Sequence, residues 1–102
     1  MALSSLPAGR QVVARTYISM YYAYFLKSLS TDWPNWYYVG SSSDLIVRVG
    51  QHNKGEVRAT RSKIPLKLVY YESYLSLTQA RLREKEIKKS RWEKNKIIER
   101  LR

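Results

Sequence analysis

Hydrophobic and polar positions fall into a run of short, distinct segments. Residues 21–27 (YYAYFLK) are apolar on both faces, which predicts a strand in the middle of its sheet. Residues 30–35 contain Asp32-Trp33-Pro34-Asn35 and predict a turn. Residues 36–40 predict a second strand, and the short connection predicts an antiparallel hairpin. Ser41, Ser42 and Ser43 offer helix caps ahead of a helix over 44–51, which Asn53-Lys54-Gly55 ends. A basic loop covers 54–65, and a third strand covers 66–74. Ser76-Leu77-Thr78-Gln79 fits a capping box that opens a helix to about Lys89. Residues 90–101 either continue that helix or form another. The order β-β-α-β-α-α predicts an α/β chain of the α+β kind, a small three-stranded antiparallel sheet flanked by helices.

Residues 1–19 read differently. The first nine are small and polar, with Pro7 and Gly9 interrupting any helix. Residues 11–18 fit a short strand or a short helix. The segment has arginines and no acids, which also fits a transit peptide, but no secretory apolar core is visible. The expected division is an extension over 1–19 and a domain over 20–102.

Composition narrows the function. A chain of 102 residues, 44% hydrophobic and 13% aromatic, is one small globular domain. No run is long enough to span a bilayer. The absence of cysteine excludes disulfides, thiolate metal sites and cysteine nucleophiles. A single histidine excludes a histidine-rich metal site, so any catalytic metal must lean on carboxylates, which favours Mg²⁺ or Mn²⁺. The net charge of +11 points to a polyanion, with nucleic acid the commonest. An anionic membrane surface and simple solubility are the alternatives. Such charge supplies affinity and salt dependence, not sequence specificity.

Some residues carry candidate chemistry. Nine tyrosines stand against one phenylalanine, so some hydroxyls are expected to be used. Arg48 and His52 are four apart on a predicted helix, which sets a permanent cation beside a group that titrates near neutrality. Ala80, Glu84, Ile87 and Arg91 fall on one helical stripe, so Glu84 is expected to point inward and to need a partner. An ordinary i,i+4 pair with Lys88 competes with that reading, and Glu86 is the rival carboxylate. Lys54, Arg58, Arg61 and Lys63 form a candidate phosphate-gripping loop. Lys88, Lys89, Arg91, Lys94 and Lys96 form a second basic face or a plain solvated one. Trp33 and Trp36 flank the turn, where they either stack on an unpaired base or cap the sheet edge. Gly40 allows close backbone approach or positive φ.

Taken in order, Tyr22-Ala23-Tyr24, Tyr38-Val39-Gly40, Ser43-Asp44-Leu45, Arg48, His52-Asn53, Thr60-Arg61, Pro65, Leu68-Val69-Tyr70, Ala80 and Glu84 resemble the signature of the GIY-YIG nuclease superfamily. The likeness runs from about Met20 to the C-terminus. It is greatest to the small single-domain endonuclease type, and the chain is also similar to the N-terminal incision domain of the bacterial excision-repair nuclease. The resemblance implies a Mg²⁺- or Mn²⁺-dependent DNA endonuclease, structure-guided or weakly sequence-specific, in DNA repair or processing. It places Tyr24 near the attacking water as base or relay, with its pKa lowered by nearby cations. Tyr38 would hold the network or contact phosphate. Arg48 would stabilise the transition state, His52 would move a proton, and Glu84 would carry the metal. Gly40, Asn53, Lys54, Arg58, Thr60, Arg61 and Lys63 would face the DNA.

The first triplet departs from the family in Tyr22 and Ala23, and the gap from Tyr24 to Tyr38 is a few residues longer than usual. Relatives begin near the first triplet, so Met20 is the expected start, with 1–19 an upstream extension or dispensable arm. The implied partners are branched or damaged DNA and a protein supplying specificity, without a membrane. The implied location is the bacterial cytoplasm, on the nucleoid. The competing reading is a non-cleaving nucleic-acid-binding module on the same fold.

Overall fold

The computed structural model describes residues 10–13 and 16–102; the expectations for 1–9, 14 and 15 lie outside the described residues. Strands β1 (Arg10–Val13) and β2 (Thr16–Ser19) pair antiparallel as a two-stranded ribbon. Of the two options for 11–18, the chain takes the strand, and takes it twice.

The main sheet has three antiparallel strands in the order β4-β3-β5. Strand β3 (Tyr21–Ser28) is central, and its residues 22–26 are all buried, as a strand apolar on both faces requires. Strand β4 (Tyr37–Ser42) forms one edge and β5 (Leu66–Tyr74) the other. Phe25 faces Tyr70 while Leu26 faces Leu68, so Val69 is the extra residue of a bulge in β5.

Alternation along β3 builds two cores. Tyr22, Tyr24 and Leu26 pack with Leu45, Val49 and Leu66 on one face, under helix α1 (Leu45–Asn53). Phe25 packs with Val39, Ile87 and Ile97 on the other, under α2 (Leu77–Lys89) and α3 (Arg91–Arg100). Each fully buried large side chain contributes about 1.5–3 kcal/mol by leaving water. The result is three layers, helix–sheet–helix pair, as the pattern predicts. No helix among the described residues is long and apolar enough to cross a membrane.

Several boundaries differ from the sequence reading. Strand β4 starts at Tyr37 and continues past Gly40, because Ser41 and Ser42 pair with Ala23 and Tyr22. The cap of α1 is therefore Asp44, whose side chain accepts from the Val47 N–H, and not the serine run. The end of α1 is a Schellman motif: Gly55 sits at φ +77°, its N–H donates to the His52 carbonyl, and the Glu56 N–H donates to Gln51. The basic loop contains a 3₁₀ turn, Arg61–Lys63. Helices α2 and α3 are separate, because Ser90 adopts extended backbone, ends α2 and caps α3 by accepting from the Glu93 N–H.

Arg83 ties the helix pair to the sheet. It donates to Glu72 on β5, to Glu86, and to Glu93 on α3. Tyr70 and Tyr74 also donate to Glu72. Burial alone would raise the Glu72 pKa, but these hydrogen bonds outweigh it and bring it down to about 2.

Candidate active site

Tyr24 and Gly40 are direct partners across β3 and β4. The Tyr24 ring lies over the glycine, so that a Cβ at position 40 would stand 2.6 Å from the hydroxyl and 2.9 Å from the Tyr38 ring. Gly40 thus supplies a close approach, not a positive φ. Held there, the Tyr24 hydroxyl lies 2.9 Å from His52 Nε2.

His52 comes from the last turn of α1 and is fully buried. Its Nδ1 lies 2.7 Å from Thr60 Oγ1, and Thr60 itself donates to the Val57 carbonyl at 3.4 Å. A hydroxyl that gives its only proton to a carbonyl must accept from the imidazole. The network therefore assigns the proton to Nδ1 and leaves Nε2 to accept from Tyr24.

Burial pushes Tyr24 up to about 12, and the neighbouring Arg48, which pulls the other way, does not overcome it. This corrects the expectation that surrounding cations lower the Tyr24 pKa. Burial, and then the Arg48 cation, push His52 down to about 4, so the imidazole is neutral at pH 7. Burial disfavours the Arg48 cation, but the Tyr24 and Tyr38 hydroxyls outweigh it and raise the Arg48 pKa. Arg48 also donates to Gln51 Oε1 at 3.0 Å.

Tyr38, on edge strand β4, completes the cluster: its ring centroid lies 6.3 Å from that of Tyr24 and 5.0 Å from His52. Glu84 approaches the same edge from the opposite face of the sheet. Its Oε1 accepts from Ser41 Oγ at 2.5 Å and its Oε2 from Lys88 Nζ at 2.6 Å. The Lys88 ammonium in turn reaches 5.6 Å from the Tyr38 ring. Both readings of Glu84 thus hold together. Ala80 and Ile87 are buried on its stripe and the carboxylate is only 22% exposed, yet the i,i+4 ion pair with Lys88 is also formed. Arg91 leaves the stripe because α2 ends at Ser90. Glu86 is 60% exposed and bound to Arg83, so it is no rival.

Among the described residues no group of three histidines or carboxylates could hold a metal ion. Among the described residues, Glu84 is the carboxylate that acts on the Tyr24 hydroxyl. One hard oxygen ligand suits Mg²⁺, which takes its remaining ligands from water and substrate phosphate.

The residues expected on the DNA side divide. Thr60 is buried behind His52, and Gly40 is buried under Tyr24. Asn53 clasps Leu66, donating to its carbonyl at 2.9 Å and accepting from its N–H at 2.8 Å, which fastens α1 to β5. Thr60 and Gly40 therefore shape the site from within, while Asn53 remains exposed beside the clasp that its amide makes. Lys54, Arg58 and Arg61 are exposed, with Arg61 Nε donating to the Gly55 carbonyl. Lys63 stands over Trp33 and Trp36. The serine run suggests a cap at Ser41, whereas strand parity sets it on the face opposite Gly40, toward α2.

The profile of the GIY-YIG catalytic domain matches residues 20–97. A UPF0213 protein of Staphylococcus haemolyticus is 34% identical over 84 residues, covering 80% of this chain and 98% of the relative. A UPF0213 protein of Staphylococcus epidermidis is 39% identical over 64 residues, covering 61% of this chain and 78% of the relative. No solved structure matches at comparable significance. The matched domain is a nuclease domain, its substrate is DNA, and such nucleases generally use divalent metal ions. With the profile spanning the main sheet and the helices α1 and α2 that carry the cluster, the chain belongs to the GIY-YIG family.

Proposed function

We infer that the protein is a Mg²⁺- or Mn²⁺-dependent DNA endonuclease, structure-guided or weakly sequence-specific, working in DNA repair or processing in a bacterial cytoplasm. The observation that carries this reading is the Tyr24–His52 hydrogen bond beside Arg48, with Glu84 at the same sheet edge.

With a pKa near 12, Tyr24 is a poor free base, so it works as a relay. Its oxygen takes a proton from the attacking water as its own proton passes to His52 Nε2. His52 then becomes an imidazolium that keeps its Nδ1–H on Thr60. Burial, and after it the Arg48 cation, hold His52 basicity down in the free protein. A DNA phosphate on Arg48 neutralises that cation and lifts His52 toward the pKa the relay requires. Arg48 meanwhile binds the charge that develops on the phosphate. A divalent ion on Glu84 would polarise the phosphate and assist the leaving oxygen. On Glu84 such an ion would compete with the Lys88 ammonium, which engages Oε2. That engaged carboxylate is the observation favouring the second reading, a non-cleaving module. A domain this small has little surface for reading sequence, so specificity from a partner protein belongs to the proposal.

The test is nicking of supercoiled plasmid and of branched DNA with Mg²⁺, Mn²⁺ or EDTA. Cutting that needs metal and is lost in folded Tyr24→Phe and Glu84→Ala proteins supports the nuclease. Salt-sensitive binding with no cutting on any substrate favours the module.

A further inference from the structure

Trp33 and Trp36 lie outside the chemistry just described. Trp33 is 39% exposed on a turn that is firmly built. Its N–H donates to the Ser30 carbonyl, the Trp36 N–H donates to the Trp33 carbonyl, and the Ser28 N–H donates to Trp36. The turn is also fastened to the basic loop. Ser28 Oγ donates to the Lys63 carbonyl at 2.7 Å, and the Leu29 N–H donates to the Pro65 carbonyl at 2.8 Å. Lys63 Nζ is thereby set over both indoles, 4.2 Å from the Trp33 centroid and 5.3 Å from Trp36. Trp36 stacks on Tyr38 at 6.5 Å and 23°, and Tyr38 touches His52. A line of rings thus runs from Trp36 to the reacting cluster, and Lys63 joins Trp33 to its outer end.

A large ring held in contact with water by five hydrogen bonds, and paired with a cation, fits one ligand chemistry well. Each nucleotide of a single strand offers a flat base for an indole and a phosphate for an ammonium. A paired base has its faces covered by its neighbours and cannot stack in this way. On the nuclease reading above, we propose that Trp33, Trp36 and Lys63 form a stacking platform for an unpaired nucleotide of the DNA strand that enters the Tyr24–His52 site. The platform makes the enzyme prefer a junction between single and double strand over continuous duplex. Its preformed turn means that little ordering is needed on binding.

The test is fluorescence anisotropy in EDTA with two labelled probes of equal length, one a duplex with a splayed single-stranded arm and one fully paired. Wild type should bind the splayed probe more tightly. In Trp33→Ala the ratio of the two affinities should fall by about tenfold, as loss of one stacked base predicts. Trp33→Tyr should keep most of the ratio, and Lys63→Ala should reduce it. Equal affinity of wild type for both probes, or an unchanged ratio in Trp33→Ala, overturns the platform. Adding Mg²⁺ separates the two proposals. Splayed-arm preference without cutting keeps the platform and rejects the nuclease. Metal-dependent cutting with no preference does the reverse.

Discussion

The Tyr24 hydroxyl occupies the space that a side chain on Gly40 would fill, 2.6 Å from the missing Cβ. Tyrosine and glycine face each other across β3 and β4 as the two halves of one fitting. The tyrosine is buried and bonded to His52, so it cannot move aside and keep its partner. Gly40→Ala should therefore cost about 1–3 kcal/mol of stability. It should also reduce cleavage by about a hundredfold or more through the displaced hydroxyl. Chemical denaturation and a nicking assay on the same preparation check both.

Thr60 fixes which imidazole nitrogen carries the proton. Thr60→Val removes the acceptor and strands a buried N–H, at about 1–3 kcal/mol. It should also lower cleavage, whereas Thr60→Ser should restore both properties. Nitrogen-15 NMR of the single histidine should show a protonated Nδ1 in the wild type and a shifted tautomer balance in Thr60→Val.

Two pH windows follow from His52 and Glu72. His52 falls from an ordinary 6.5 to about 4 in the fold, so between those values the unfolded chain binds more protons. Its contribution is complete above pH 6.5 and is lost as pH drops toward 4. Glu72 falls from 4.5 to about 2, so its contribution is complete above 4.5 and is lost below it, toward pH 2. Urea midpoints should decline in the first window for wild type. That decline should be smaller in His52→Phe, and the steeper fall below pH 4.5 should remain.

Arg83 should matter to the fold and not to the chemistry. Arg83→Met leaves Glu72 half-buried beside two tyrosines and releases Glu93 on α3. The pair is about one-fifth exposed, so the cost should be about 2 kcal/mol, below that of a fully buried pair. The protein that remains folded should cut normally, as denaturation paired with specific activity would show.

The strands and helices were legible because their periodicities are strong. The buried run of β3 and the Leu45, Val49, His52 face of α1 are written in residue order. What escaped depended on contacts made at a distance. Ser41 pairs with Ala23, which carries β4 beyond the glycine that read as its end. Thr60 meets His52 across an aperiodic loop. The abundance of lysine and arginine is visible in the composition, and by itself it points to an acidified tyrosine. Burial of Tyr24 is not visible there, and desolvation decided the outcome.

Strand β3 is bonded along both edges and covered on both faces, and Tyr24 lies near its middle. Its amide can exchange with deuterium only when the whole sheet opens. Arg48 and Glu84, by contrast, ride on helices with one side to solvent, where shorter-lived openings occur. The site therefore joins the slowest-exchanging part of the molecule to faster ones. A fluctuation of α1 or α2 can displace Arg48 and His52, or Glu84, while Tyr24, held in β3, keeps its place as the fixed point on which the site reassembles.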